Sequence, residues 1–507
     1  MIPTRRLPAA LICAGYVLVA LAGCLALGRL AATVAATQLL DQAQQQLARV
    51  EANQPLWQWT LRKPRDLVAG RAFGNATVAR GDDALRITSQ DGTPFELGLP
   101  VAWSLDLKHW PVLQLQLQLQ SDSPGELGLV WQGRGRTPAC LAPLAEVLTP
   151  HTGSVHVDLR ALTWRSATAG ACATPGIAQM LRLRIQIPRE ASVRIASAAL
   201  LTTEPMPRLQ DVAIDLPPRI TTQGLDRLGA PAQNWPMPLF RLPEDSSAEA
   251  MLALRDELRG RWPAALIVPA GETPHAKRMV RSSPAWAWIA CVLYLAALTW
   301  LVLRPIQGPL RPWIDIAGCL LGPLWLIIGL HWGLRPTPLG VMAFGGGLAY
   351  ALAIERRHLP RLWRWPEAGR HWLWPLATLP VAALLILVYG HSLRPLLPGH
   401  VLAYFAWAWL QQWLMLIVLL RRFEQMLPRP NWAIVPVALV FALLHTPNGT
   451  LMQLCFVGEL WWAWCFMRSR SVLPIVLAHA VCALLVESGL AGGTLLRSLE
   501  VSARFFL

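Results

Sequence analysis

Four polar positions stand out in the apolar C-terminal part of this chain. Gln411 and Gln412 sit in the middle of AWAWLQQWLMLIVLL, His445 closes FALLH ahead of Thr446-Pro447-Asn448, and His479 lies inside VLPIVLAHAVCALLV. Polar side chains are costly in lipid, so those that remain there are functional candidates by default. An imidazole can give or take a proton near neutral pH. A carboxamide can orient water or substrate, but it takes no proton at that pH. Glu459 in FVGELWW and Glu487 are further ionisable groups. Glu459 reads first as a group facing the periplasm or pairing with an arginine, and second as a carboxylate supplied from a neighbouring helix. The bland alternative for the glutamines is an interhelical hydrogen bond.

The elements that must position these groups are membrane helices. Of the 507 residues, 54% are hydrophobic and only 15% charged, well below the roughly 25% charged residues of soluble domains. From Pro284 onward, segments of spanning length recur near 284–303, 313–333, 338–354, 372–390, 400–420, 432–446, 450–467 and 472–490. An earlier run, Leu11–Ala36, follows Arg5 and Arg6 and exceeds a signal-peptide core, so an uncleaved signal anchor is expected, with cleavage near Ala32–Ala36 as the alternative. Together these make nine spans. Arginines gather in alternate loops: Arg304 and Arg311; Arg356, Arg357, Arg361, Arg364 and Arg370; Arg421, Arg422 and Arg429; Arg468 and Arg470. The positive-inside rule makes those loops cytoplasmic and sends 37–283 outside, against one exception, the basic Lys277–Arg281 cluster. A bacterial inner-membrane, multi-pass protein is expected. The net charge of +15 is explained by topology and anionic lipid, and no basic stripe supports nucleic-acid binding.

Between the first helix and the bundle the composition is that of a soluble domain. VLQLQLQLQ (Val112–Gln120) and LRLRIQI (Leu181–Ile187) alternate strictly, with shorter versions at Val155–Leu159 and Val193–Ile195. Period two means one dry and one wet face, and several such strands imply an antiparallel, jelly-roll-like β-sandwich at about 55–203, within a domain 37–203. Of nine cysteines, Cys140 and Cys172 alone lie in polar sequence, and there they are expected to pair in an oxidising compartment. No CxxC pair supports a zinc ribbon or a redox motif. A Pro-rich link and a small α/β extension follow at 204–283. Ser246-Ser247-Ala248-Glu249 reads as a capping box opening a helix, with a strand at Ala264–Pro269. The bundle occupies 284–507.

The segment at about 400–490 resembles the CPBP (Abi, CAAX prenyl endopeptidase-like) intramembrane proteases. Phe441-Ala-Leu-Leu-His445 matches the family's Phe-x-x-x-His, and His479-Ala480 matches the start of its His-x-x-x-Asn. Gln411-Gln412 stands where the family carries a Glu pair, Leu416 where it carries Arg, and Ala483 where it carries Asn. The resemblance implies an intramembrane metallo- or glutamic-type endopeptidase acting on a membrane-associated protein. Gln411 and Gln412 would orient water or substrate, and His445 and His479 would hold an oxyanion or a divalent metal such as zinc. The missing carboxylates remove the family's general base, which leaves a weakened site or a pseudoenzyme as the alternative. The rival class is a non-catalytic scaffold whose exported sandwich recognises an envelope polymer or protein. A transporter ranks third, since no broken-helix repeat is evident.

Overall fold

The computed structural model describes residues 9–135, 137–166, 170–204, 209–220, 222–228, 231–276, 284–330, 337–356 and 364–507. Arg5, Arg6, the Lys277–Arg281 cluster, Arg357 and Arg361 lie outside the described residues. The helices are α1 (Ala9–Glu51), α2 (Thr222–Leu228), α3 (Ala248–Arg261), α4 (Pro284–Leu303), α5 (Arg311–Leu324), α6 (Pro338–Glu355), α7 (Arg370–Leu376), α8 (Thr378–Tyr389), α9 (Pro398–Gln412), α10 (Leu420–Met426), α11 (Ile434–Leu443), α12 (Gly449–Ser469) and α13 (Leu473–Gly489). Two compact units share the chain. Ala36–Ser246 and Ala253–Met279 form one; Met1–Ala35, Ser247–Leu252 and Val280–Leu507 form the other.

The first unit contains the β-sandwich. One antiparallel sheet has six strands in the order Ala76–Arg80, Leu85–Ser89, Ser192–Leu201, Val112–Gln120 and Ser154–Asp158, with Trp57–Thr60 also paired to Ser192–Leu201. The other has seven, running from the short Gly170–Ala171 and Arg165–Ser166 through Cys140–Leu148, Gly125–Gly133 and Ile177–Gln186 to Phe95–Leu99, with Leu105–Asp106 alongside. The alternating runs supply the core. Leu113, Leu115, Leu117 and Leu119 are buried from one sheet, and Leu181, Leu183 and Ile185 from the other, while the glutamines between those leucines stay wet or half-wet. Cys140 and Cys172 are disulfide-bonded with Cα atoms 6.3 Å apart. Beyond the sandwich, Ala213–Asp215, Leu239–Arg241 and Leu266–Val268 form a small parallel sheet.

In the other unit, the cap at the start of α3 is one residue later than the Ser-x-x-Glu pattern suggests. Ser247 Oγ accepts from Ala250 N at 3.2 Å, whereas Ser246 Oγ donates to Pro243 O. The bundle carries large apolar side chains outward, among them Leu387, Leu402 and Trp286. Among the described residues six helices, counting α1, are long and apolar enough to cross a membrane; Pro430–Leu443 and Leu473–Gly489 are apolar but shorter. The run 432–446 stops early because α11 ends at Leu443, just ahead of Thr446-Pro447. The N-terminal half of α1 packs on α12: Gln453 donates to Cys24 O at 2.9 Å, and a Cβ on Gly23 would sit 2.3 Å from the Phe456 ring, so glycine is what permits the approach.

Arg422 departs from the loop role expected of it. Its side chain is buried on α10 between Asp315 of α5, at 3.4 Å, and Glu355 at the end of α6, which it contacts directly. Tyr350 donates to Asp315 at 2.9 Å, and Arg422 also donates to Val418 O.

Two outcomes follow from these packings. Replacing both Cys140 and Cys172 by Ser opens a loop of sequence separation 32 and should lower the sandwich's stability by about 3–4 kcal/mol in denaturant titration. Arg422→Ala removes the cation shared by buried Asp315 and Glu355, leaving Glu355 the longer Arg421 contact at 3.6 Å, and should cost about 3–5 kcal/mol, read as loss of thermal stability in detergent.

Candidate functional site

Helix α9 carries one polar stripe. His400, Tyr404, Trp407 and Gln411 follow at i, i+4, i+7 and i+11, so they share a helix face. All four line a cavity of about 1150 Å³ inside the bundle. Directly after Gln412 the helix widens into a π segment, Trp413–Leu419, every residue of which is buried, before resuming as α10. Such π segments concentrate at functional sites. From α13, His479, Cys482, Ala483, Val486 and Glu487 reach the same cavity at i, i+3, i+4, i+7 and i+8. His445 enters from the end of α11, and Trp462 from α12.

Gln412 lies behind this wall, fully buried, and links three helices. Its Nε2 donates to Glu459 Oε2 of α12 at 2.9 Å and lies 3.2 Å from His479 Nδ1 of α13. An amide nitrogen only donates, so His479 Nδ1 is the acceptor and the ring proton sits on Nε2. His445 is fixed the opposite way. Its Nδ1 is 2.7 Å from the Phe441 carbonyl, an acceptor, so Nδ1 carries the proton and Nε2 keeps its lone pair. The Phe441 ring stands edge-on to both imidazoles, with centroids 4.9 Å from His445 and 5.5 Å from His479, and Trp462 covers His479 at 4.9 Å. The two histidines thus present complementary faces, one acceptor and one donor.

The expected residues therefore gather, with changes of role. Gln411, His445 and His479 line the cavity, while Gln412 supports them from behind. Glu459 neither faces water nor pairs with an arginine: it is fully buried against Gln412, and this reverses the first reading of it. Oε1 of Gln411, of Gln412 and of Glu459 has no hydrogen-bond partner among the described residues. Glu487 meets His400 Nε2 at 2.9 Å on the cavity wall. His400 was not singled out from the sequence, although the spacing of His400, Tyr404 and Gln411 signals it. Asp315 and Glu355 were missed because each is a lone acid near the end of an apolar run.

The expectation of a divalent metal, zinc on His445 and His479, is corrected. Among the described residues no group of three or more His, Cys, Asp or Glu side chains is arranged to hold a metal ion. A structural or catalytic zinc takes at least three protein ligands. Here the position next to His479 is taken by an amide nitrogen, and the nearby carboxylate, Glu459, is bonded to that amide.

Residues 393–485 match the family model "Rce1-like: Type II CAAX prenyl endopeptidase Rce1-like". The C-terminal region is an Rce1-like segment. The match spans α9 to α13, and so contains Gln411, Gln412, His445, Glu459 and His479. The matched segment and the apolar helices support a CAAX protease-like membrane protein. No curated protein matches it. Solved structures that are similar to part of the chain include a family 11 carbohydrate-binding module from Clostridium thermocellum in complex with a beta-1,3-1,4-mixed-linked tetrasaccharide, at 8% identity over 26% of this chain and 86% of that one, TM-score 0.20. Others are the xylan-binding module CBM86 from Roseburia intestinalis, at 12% identity over 29% and 96%, TM-score 0.19, and a galectin-like protein of unknown function from Bacillus subtilis, at 10% over 30% and 97%, TM-score 0.21. Likenesses at such scores support no inference.

The two glutamines should respond differently to substitution. Gln412→Leu leaves the Glu459 carboxylate and His479 Nδ1 unpaired and should cost about 1–3 kcal/mol. Gln411→Leu removes an amide oxygen that has no partner and should be close to neutral, so thermal unfolding in detergent separates the two.

Proposed function

We propose that the Rce1-like segment is an intramembrane endopeptidase that cleaves a membrane-associated protein at the cavity walled by His445 and His479. The observation that carries this reading is the bridge from Glu459 through Gln412 to His479. It brings a carboxylate to a family position where the sequence carries amides, and it sets the tautomer that the chemistry needs.

A water held by Gln411 Oε1 and His445 Nε2 attacks the peptide carbonyl carbon. His445 takes the water's proton as the new C–O bond forms, and His479 Nε2–H donates to the oxyanion. Collapse of the tetrahedral adduct breaks the C–N bond. His445 returns its proton to the leaving amine, giving a carboxylic acid and an amine, which separate as carboxylate and ammonium. Gln412 and Glu459 act as positioning residues, because Gln412 touches His479 rather than the reacting atoms and Glu459 holds Gln412. The mostly apolar lining of the cavity strengthens both hydrogen bonds to the developing charge.

In this reading the protein lies in a bacterial inner membrane with 37–283 outside, as the arginine-rich loops indicate. The second reading, a non-catalytic scaffold, is favoured by the loss of the family's polar groups at Gln411, Gln412, Leu416 and Ala483.

Profiling new protein N-termini in membranes that carry the unmodified protein or a variant decides between the two. His445→Ala should lower cleavage by about 10²–10⁴-fold, as for loss of a general base. His479→Ala should lower it by about 10²–10³-fold, as for loss of an oxyanion donor. Products that persist unchanged in both variants, or that are absent from the unmodified protein, would favour the scaffold.

A further inference from the structure

A second cavity lies wholly within the sandwich-bearing unit. It is a cleft of about 400 Å³ between the C-terminal part of α1, the strand Trp57–Thr60, the segment Pro100–Ser104 and α3. Three indoles line it, Trp57, Trp59 and Trp103, together with four glutamines, Gln42, Gln45, Gln46 and Gln58. Its charged lining residues are Arg49 and Arg259, and no acidic side chain lines it.

Arg259 makes no ion pair among the described residues; its guanidinium reaches Gln42 Oε1 at 3.4 Å. Arg255, one turn earlier on α3, is fully buried, pairs with Asp256 at 2.9 Å and stacks on the Trp103 ring at 4.9 Å. Burial pulls both guanidinium groups down from their usual range to about 10, and for Arg259 the Arg255 charge adds to the effect. Both remain charged at neutral pH. A desolvated cation without a carboxylate is a standing electrostatic deficit at the cleft wall.

Each chemical element of the lining answers to one feature of a sugar acid. Indole faces pack against the C–H faces of a pyranose. Carboxamides give and accept at once, as neighbouring hydroxyls require. A guanidinium binds a carboxylate by two parallel hydrogen bonds. The volume falls in the range of small-molecule sites. We propose that this cleft binds an acidic saccharide, with Arg259 on the carboxylate, Trp57 and Trp103 on the ring faces, and Gln42 and Gln58 on the hydroxyls. This site stands apart from the peptidase reading and survives its failure.

The test is calorimetric titration of the full-length protein in detergent with trimers of galacturonate, glucuronate and mannuronate, and with the methyl ester of each. At least one acid should bind saturably, and its ester should bind about tenfold or more weakly, a difference of about 1.4 kcal/mol. Arg259→Gln should lose the acid preference, Arg259→Lys should keep part of it, and Trp103→Ala should weaken acid and ester alike. If Arg259→Gln does not fold, the acid–ester comparison on the unmodified protein still decides. Equal binding of acid and ester overturns the proposal. So does the absence of binding by every trimer, or tighter binding of penta-aspartate or inorganic phosphate than of any trimer.

Discussion

A buried polar group with no water to turn to must find its partner inside the protein, and in the bundle that demand converges on Gln412. One amide nitrogen serves Glu459 and His479 together, joining α9, α12 and α13 at a single point. Remove it and a carboxylate and an imidazole lose their partner in an apolar interior, the most costly kind of loss there. The same bond fixes which nitrogen of His479 holds the proton. One interaction thus satisfies two buried groups and sets the His479 tautomer.

The replacement of family carboxylates by amides at Gln411 and Gln412 reads differently in this light. Two glutamates side by side would repel and would need strong compensation. An amide at 412 can donate in two directions, and the acid it accommodates comes from Glu459, on a helix that begins 37 residues later in the chain. The π segment after Gln412 inserts extra backbone into the turn that follows, and all seven of its residues are buried. The buried Asp315–Arg422–Glu355 cluster ties the end of the same long helix to α5 and α6. The α9–α10 helix is therefore held at both its polar points, one beside the cavity and one at the ion cluster.

In the other unit the logic is that of a sheet with one wet face. Alternating leucines fill the space between two antiparallel sheets, and the disulfide ties Cys140, at the start of a long strand, to Cys172, just beyond the short strand Gly170–Ala171. The cleft borders that core, sharing Trp59 with it. It owes its character to α1 and α3, which bring glutamine and arginine against the half-buried indoles of Trp57 and Trp103 and the buried one of Trp59.

Local sequence by itself determined the period-two strands, the apolar helices and the presence of His445 and His479, because side-chain alternation and the cost of polar groups in lipid are written residue by residue. The Phe441–His445 spacing and the glutamine pair were legible for the same reason. Tertiary structure alone decided where Glu459 points, which imidazole nitrogen carries each proton, and that Arg422 is a buried ion-pair centre rather than a loop charge. It also decided that no metal-binding group forms among the described residues, and that the helix of the 432–446 run ends at Leu443. Those outcomes depend on which helices become neighbours, and neighbours such as Gln412 and Glu459, or Arg422 and Asp315, are far apart in the chain. No local pattern records such a pairing; packing creates it.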